Sequence, residues 1–293
     1  DLWINDSIPR GLVYNESSIS LHGLELESET RAVGPDGSLL ISWRLRDSPS
    51  ARQAEISYNC LVENGASSQD GAELPGEAAT MCWLEGAAAS SDSPGAVRKS
   101  DSDTSGSIII VEPDLSLQMN ASRAAASPGD AITFTLAAAH TAASSAPAYD
   151  LDLQIMLPGG LTYQPGSAKS GPGALFDEEA LCWHLPVMQE EVDGGSDGSS
   201  AIFSFNATCH AAPGQTPLAR ALLTWSSRPG SNAVERTGGG GVNDYHREAA
   251  AFIAAARLTL TKAADPDPVQ VGGDLAYTLT YQYRGNGSAH NVV

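Results

Sequence analysis

The residues that could do chemistry in this chain are few, and their spacing argues against most uses. Gly194-Gly195-Ser196-Asp197-Gly198 matches the Gly-x-Ser-x-Gly elbow of hydrolases. A working elbow follows an apolar strand and opens a helix, whereas this one sits in a polar stretch with no helical pattern after it. Adjacent acids such as Glu178/Glu179 and Glu190/Glu191 read as solvated loop charges. The six histidines are scattered and form no i,i+4 or metal-spaced cluster. His184 and His210 come near each other only through their neighbours Cys182 and Cys209, and read as exposed strand residues. Asp-rich turns at Asp265-Pro266-Asp267 and Asp150-Leu151-Asp152 offer hard oxygen ligands for calcium, but neither shows a full ligand set. No phosphate loop or dinucleotide fingerprint is present. The expectation is a protein without catalytic residues, cofactor or dedicated metal site, with calcium at a turn as the alternative.

Two other residue classes speak to compartment. Asn-x-Ser/Thr occurs at Asn5, Asn15, Asn120, Asn206 and Asn286, which predicts N-linked glycans on a secreted chain. Asn206 alternates with Phe205 and Ala207, so it should point outward from its strand, while Asn120 and Asn286 are expected in turns. The four cysteines, Cys60, Cys82, Cys182 and Cys209, are an even number, as disulfides in an oxidising compartment require. No Cys-x-x-Cys exists, which argues against zinc.

The elements that must position these residues are set by an internal repeat. Ile8-Pro-x-Gly-Leu-x-Tyr14 matches Leu157-Pro-x-Gly-Leu-x-Tyr163. A Trp strand ending at Trp43 matches one ending at Trp183. The alternating residues Ile56, Tyr58 and Cys60 match Phe205, Ala207 and Cys209, and Trp83 matches Trp225. A third copy opens near the end: Leu258-Thr259-Leu260 matches Leu115-Ser116-Leu117, and Ala276-Tyr277-Thr278-Leu279 matches Thr133-Phe134-Thr135-Leu136. The period is about 145 residues, the size of one sandwich domain. Each landmark alternates apolar and polar residues at period two, and Gly, Pro, Ser and Asp separate them. The fold expected is all-β, tandem immunoglobulin-like β-sandwich repeats with the first and last copies incomplete. The boundaries are 1–112 (a repeat lacking its first strands), 113–256 (a complete repeat) and 257–293 (opening strands of a third repeat). Polar stretches at 87–107, 190–200 and 226–241 read as loops.

The same duplication suggests cysteine pairing. Cys60 and Cys209 are equivalent, Cys82 lies on the strand after and Cys182 on the Trp strand before. One pair per repeat predicts Cys60–Cys82 and Cys182–Cys209, against the alternative of four buried free thiols.

The third copy carries a resemblance. Leu258-Thr-Leu-Thr-Lys262, Asp265-Pro266, Val271-Gly272-x-Asp274, Tyr277-Thr-Leu-Thr280 and Asn286-Gly-Ser-Ala-x-Asn-Val292, together with the Pro-x-Gly-Leu-x-Tyr element, resemble the domain-of-unknown-function-eleven repeats of large bacterial and archaeal surface proteins. The middle copy matches more loosely and has Met119 where the third has Lys262. The resemblance implies an immunoglobulin-like sandwich and a cell-surface, extracellular address, and it implies no chemistry.

Charge and hydropathy narrow the partners. The chain has 35 acidic and 16 basic residues, net −19, a poor match for nucleic acid or anionic lipid. No segment has the ~20 apolar residues of a membrane helix. The first residue is Asp1 rather than Met, which predicts a piece of a longer product. The function expected is structural: an extracellular filament, sheath or surface layer, with an adhesin stalk or carbohydrate-binding module as the alternative. Self-association would proceed head to tail, either between copies or between neighbouring repeats of one chain. Strands of 257–293 would complete the sandwich begun at Asp1. Asp1, Leu2, Trp3, Ile4, Leu258, Leu260, Tyr277, Leu279, Val292 and Val293 are the expected contact residues.

Overall fold

The computed structural model describes residues 2–47, 55–85, 97–190, 199–231, 235–238, 244–255 and 257–284. The described residues are all-β, with no helix among them and 62% in strands, and the chain divides into two compact units. Unit 1 comprises Asp1–Glu112 with Asn232–Arg236 and Gly240–Asn243, and unit 2 the remainder.

Unit 1 contains β1 (Leu2–Ile8), β2 (Leu12–His22), β3 (Leu24–Val33), β4 (Leu39–Asp47), β5 (Glu55–Val62), β6 (Glu73–Leu74), β7 (Ala78–Glu85), β8 (Val97–Thr104) and β9 (Ile108–Ile109). One antiparallel sheet runs β3-β4-β1-β7-β8, and β2 pairs with β5 in a second, two-stranded sheet. Gly11, at φ 105°, turns the chain from the first sheet to the second, a conformation a side chain would oppose. The core is Ile8, Tyr14, Leu24, Ile41, Trp43 and Leu45, with Leu2, Ile4, Ile56, Tyr58 and Cys60 packed against it. These residues come from alternate positions of both sheets, as a sandwich requires.

The stretch 87–107, expected as a loop, holds β8. Its sequence Val-Arg-Lys-Ser-Asp-Ser-Asp-Thr carries no apolar face to announce a strand, but it pairs with β7 through its whole length. Charged residues on such an edge oppose further pairing.

Unit 2 contains β10 (Leu115–Ala121), β11 (Ala125–Ala126), β12 (Ala131–His140), β13 (Ala148–Met156), β14 (Leu161–Tyr163), β15 (Lys169–Ser170), β16 (Leu175–Asp177), β17 (Cys182–Met188), β18 (Ser200–Cys209), β19 (Leu218–Ser226), β20 (His246–Phe252), β21 (Ala254–Ala255), β22 (Arg257–Asp265) and β23 (Ala276–Arg284). The first sheet runs β10-β12-β18-β14, with β15 also on β18. The second runs β16-β17-β13-β19-β20. Between them lies a continuous core including Leu115, Ile132, Phe134, Leu136, Leu153, Trp183, Phe203, Phe205, Leu223 and Trp225. Phe134 stacks on Phe205 with centroids 5.0 Å apart, and Trp183 lies 4.5 Å from Phe176. β22 and β23 pair only with each other among the described residues.

Among the described residues no helix is long and apolar enough to cross a membrane.

Candidate functional site

The β22–β23 hairpin is an amphipathic element whose apolar face is bare. Leu258, Leu260, Lys262 and Ala264 stand opposite Tyr283, Tyr281, Leu279 and Tyr277, so all eight share one face. The other face carries Thr259, Thr261, Thr278, Thr280 and Gln282. On the apolar face Leu260 is 68% exposed and Tyr281 76% exposed. Lys262 lays its ammonium 3.9 Å from the Tyr277 ring centroid, a cation–π contact that partly covers an otherwise open aromatic.

The same hairpin exists in buried form. β10 pairs with β12 so that Leu115 faces His140, and β22 pairs with β23 so that Leu258 faces Tyr283. Both strands are displaced by the same interval, so the register is identical. Phe134 and Leu136, the counterparts of Tyr277 and Leu279, are fully buried. The difference is the neighbour: β12 pairs on its far side with β18 along nine residues, from Ala131↔Thr208 to Ala139↔Ser200.

Unit 1 presents the converse feature. β5 is the counterpart of β18, yet it pairs only with β2 among the described residues. Its second edge, which β12 occupies on β18, carries no described strand. Ile56, Tyr58 and Cys60 on β5 are only partly buried, whereas Phe205, Ala207 and Cys209 on β18 are fully so.

The expected contact residues divide accordingly. Leu258, Leu260, Tyr277 and Leu279 lie on the bare hairpin face. Leu2 and Ile4 do not offer a contact: β1 is flanked by β4 and β7, and both side chains pack into unit 1's own core. Trp3 points to the opposite face, with the Arg44 guanidinium 5.8 Å above its ring. Asp1, Val292 and Val293 lie outside the described residues.

The predicted disulfides are not made; all four cysteines are free thiols. The registers give the reason. Cys60 packs against the core of unit 1. Cys82 stands opposite Trp3, which stands opposite Arg44, on the outer face of the other sheet. In unit 2 Cys209 is in the core. Cys182 stands opposite Gln154 and Asp177, while its neighbour Trp183 takes the inward position. Each proposed pair therefore joins an inward to an outward side chain on different sheets.

Of the sequons, Asn15 and Asn120 are exposed, and Asn120 is on β10 rather than in a turn. Asn206 points outward between buried Phe205 and Ala207, and its Oδ1 accepts a hydrogen bond from Thr133 Oγ1 at 2.8 Å. Asn5 is half-buried and donates weakly to Thr80 Oγ1 at 3.4 Å. Asn286 and the Gly-x-Ser-x-Gly stretch lie outside the described residues.

Sequence reasoning missed two polar features. Glu178 is not a free loop charge: it accepts from Tyr163 Oη at 3.0 Å and from the Gly166 amide. Glu29 accepts from Tyr14 Oη at 3.4 Å and from Trp43 Nε1 at 3.0 Å. In each repeat the carboxylate follows its tyrosine by the same fifteen residues, a spacing legible in the alignment. The second feature is a cluster on the outer face of unit 2. Asp152 stands opposite His184 across β13 and β17, and Cys182 lies two residues along on the same face. One ligand atom of each lies within 4.8 Å of the others. Asp152 Oδ1 is 2.5 Å from His184 Nδ1. Strand-spaced residues of three types form no sequence motif, so only the pairing register reveals them. Asp150 lies with Asp152 on strand β13 rather than in the expected turn, and it accepts the Gly230 amide at 2.6 Å.

No family model matches the chain, and no curated protein matches it. Solved structures similar to it include the C-terminal domain of the antigen I/II polypeptide BspA of Streptococcus agalactiae, 8% identical with TM-score 0.39, covering 86% of this chain and 84% of that one. The C-terminal domain of the antigen I/II-family protein AspA of Streptococcus pyogenes is 9% identical with TM-score 0.33, covering 86% and 84%. BcpA, the major pilin subunit of Bacillus cereus, is 11% identical with TM-score 0.35, covering 73% and 71%.

Proposed function

We propose that this is a structural protein of the cell exterior that builds a filament, sheath or surface layer from β-sandwich repeats. In this reading the hairpin at one end of a module closes the open sheet at the start of the next. The observation that carries it is the pairing of a deficit with a surplus. Unit 1 has a β5 edge with no described strand, and β22–β23 is a register-true copy of the hairpin that fills that edge in unit 2. Docking would continue the β2–β5 sheet through β23 to β22 and bury Leu258, Leu260, Tyr277, Leu279 and Tyr281. A contact between unlike surfaces does not close on itself, so it propagates into a rod. The geometry serves equally when the modules are separate copies and when they are neighbouring repeats of one longer chain. The resemblance to repeats of large surface proteins and the sequons accord with the extracellular address.

The test is light scattering against concentration for the chain and for a Leu260→Lys/Tyr281→Lys variant. Both positions are already solvent-exposed, so the variant keeps its circular dichroism. The unaltered chain should grow head-to-tail oligomers and the variant should remain monomeric. A chain that is monomeric at every concentration, or a variant that assembles as well as its parent, would sink the reading.

A further inference from the structure

We propose that Asp152, Cys182 and His184 form a binding site for a borderline-soft divalent cation of the zinc class. The three residues supply a carboxylate oxygen, a thiolate sulfur and an imidazole nitrogen, the donor types that zinc accepts together. Their ligand atoms already converge, all lying within 4.8 Å of one another. An ion between them would need only small side-chain rotations, because tetrahedral bonds of ~2.0–2.3 Å separate ligand atoms by about 3–4 Å.

Two rigid strands hold the arrangement. Asp152 on β13 and His184 on β17 are cross-strand neighbours, and Cys182 is two residues from His184, so all three project from one face of a sheet whose other face is locked by Leu153 and Trp183 in the core. Burial is graded in a way that suits a bound ion. The thiol is 4% exposed, while the side chains of His184 and Asp152 are 52% and 53% exposed. The cation would rest on the sulfur, be flanked by nitrogen and oxygen, and keep a position open to water or to a donor from another molecule.

Electrostatics point the same way. Asp177 stands opposite Cys182 on β16, so the sulfur has carboxylates on both neighbouring strands. Two positive charges at this spot would be attracted by both carboxylates. Binding would release the thiol proton to solvent, and both members of the Asp152–His184 hydrogen bond would turn to the ion. Asp177 stays outside the ligand set as a charge that favours the occupied state.

Cobalt(II) is the probe, because a thiolate ligand gives it a charge-transfer band that loose binding to an acidic surface does not. The reduced full-length chain should show this band together with the visible bands of a low-coordinate site, saturating at one cobalt per chain and bleached by zinc. Cys182→Ser should abolish the charge-transfer band. His184→Ala and Asp152→Asn, both at exposed positions that leave the fold intact, should each weaken binding by at least about tenfold, and Asp177→Asn by about tenfold. His210→Ala should change nothing. Absence of the charge-transfer band in the folded, reduced chain would overturn the proposal. So would a band that survives Cys182→Ser, or affinity unchanged in both His184→Ala and Asp152→Asn.

Discussion

Two hairpins of this molecule, one at each end of unit 2's sequence, are the same object in two circumstances. β10–β12 and β22–β23 share register and alternation, yet Phe134 and Leu136 are dry while Tyr277 and Leu279 face water. The alternation is the same in both hairpins, so it does not account for the difference. What differs is whether a third strand lies along the second: β18 does so for β12, and no described strand does so for β23. An amphipathic strand pair is therefore half of a specification. Its alternation says which face must be buried but not which chain will bury it. Each large side chain on that face would gain roughly 1.5–3 kcal/mol if it were covered.

The largest effect that sharpens this comparison comes from cutting into the covered hairpin. Phe134→Ala removes a fully buried ring stacked on Phe205, and should destabilise unit 2 by about 3–5 kcal/mol, read by denaturant unfolding of the whole chain. The matched change on the bare hairpin, Leu279→Ala, should lie within about 0.5 kcal/mol of zero in unassembled protein. Equal losses for the two would mean that β23 is packed after all, and the contrast between the hairpins would be gone.

A comparable effect is expected at a buried ion pair of unit 1. Arg236, from the 232–236 segment that belongs to this unit, is buried in an ion pair with buried Glu112, and its Nε donates to Asn64 Oδ1 at 3.1 Å. Arg236→Ala leaves the Glu112 carboxylate buried beside the space of the lost guanidinium and should cost about 3–5 kcal/mol. Arg236→Met with Glu112→Leu should recover most of that. A double variant no more stable than Arg236→Ala would show that packing of the segment, not charge burial, is what matters.

A smaller effect separates the units by pH. Tyr58 sits on β5 and donates its hydroxyl to Asp6 Oδ2. Burial first, and then that carboxylate, raise its pKa above the ordinary tyrosine value. The sign follows from linkage: the folded state holds the proton more tightly, so the stabilisation is complete below about pH 10, the unfolded tyrosine's value, and is lost as pH rises toward the folded one. Tyr58→Phe should flatten the alkaline decline of unit 1, which hydrogen exchange can follow separately from unit 2. An unchanged decline would place its cause elsewhere.

Much of this was legible in sequence because period-two alternation and a duplication constrain each other. Outward Asn206 between inward Phe205 and Ala207 followed from alternation alone. The sheet order followed less well. β1 reads as the start of something, with apolar Leu2 and Ile4 at alternate positions, and only the two-sided pairing with β4 and β7 shows it to be central. β8 was hidden because an edge strand need have no apolar face. The Asp152–Cys182–His184 cluster was hidden because cross-strand neighbours are thirty residues apart in sequence and next to each other in space. Arg236 reads as a loop residue, and only the structure shows its side chain buried beside Glu112.

The smallest effect concerns the thiols, and it tests register directly. A strand slipped by one residue turns every side chain to the other face. With β7 in its present register Cys82 shares a face with Trp3 and Arg44, and with β17 in its present register Cys182 shares a face with Asp152 and His184. Cys60 and Cys209 face inward in their own units. Neither inward sulfur can meet an outward one across a layer of packed side chains. A reductant should therefore leave the unfolding midpoints of both units unchanged, and all four thiols should titrate in denaturant without prior reduction. A native disulfide typically contributes 2–4 kcal/mol, a loss that calorimetry would resolve. If reduction lowered the midpoint of unit 2, Cys182 would have to face the core, Trp183 would have to leave it, and the cation site on the outer face would go with them.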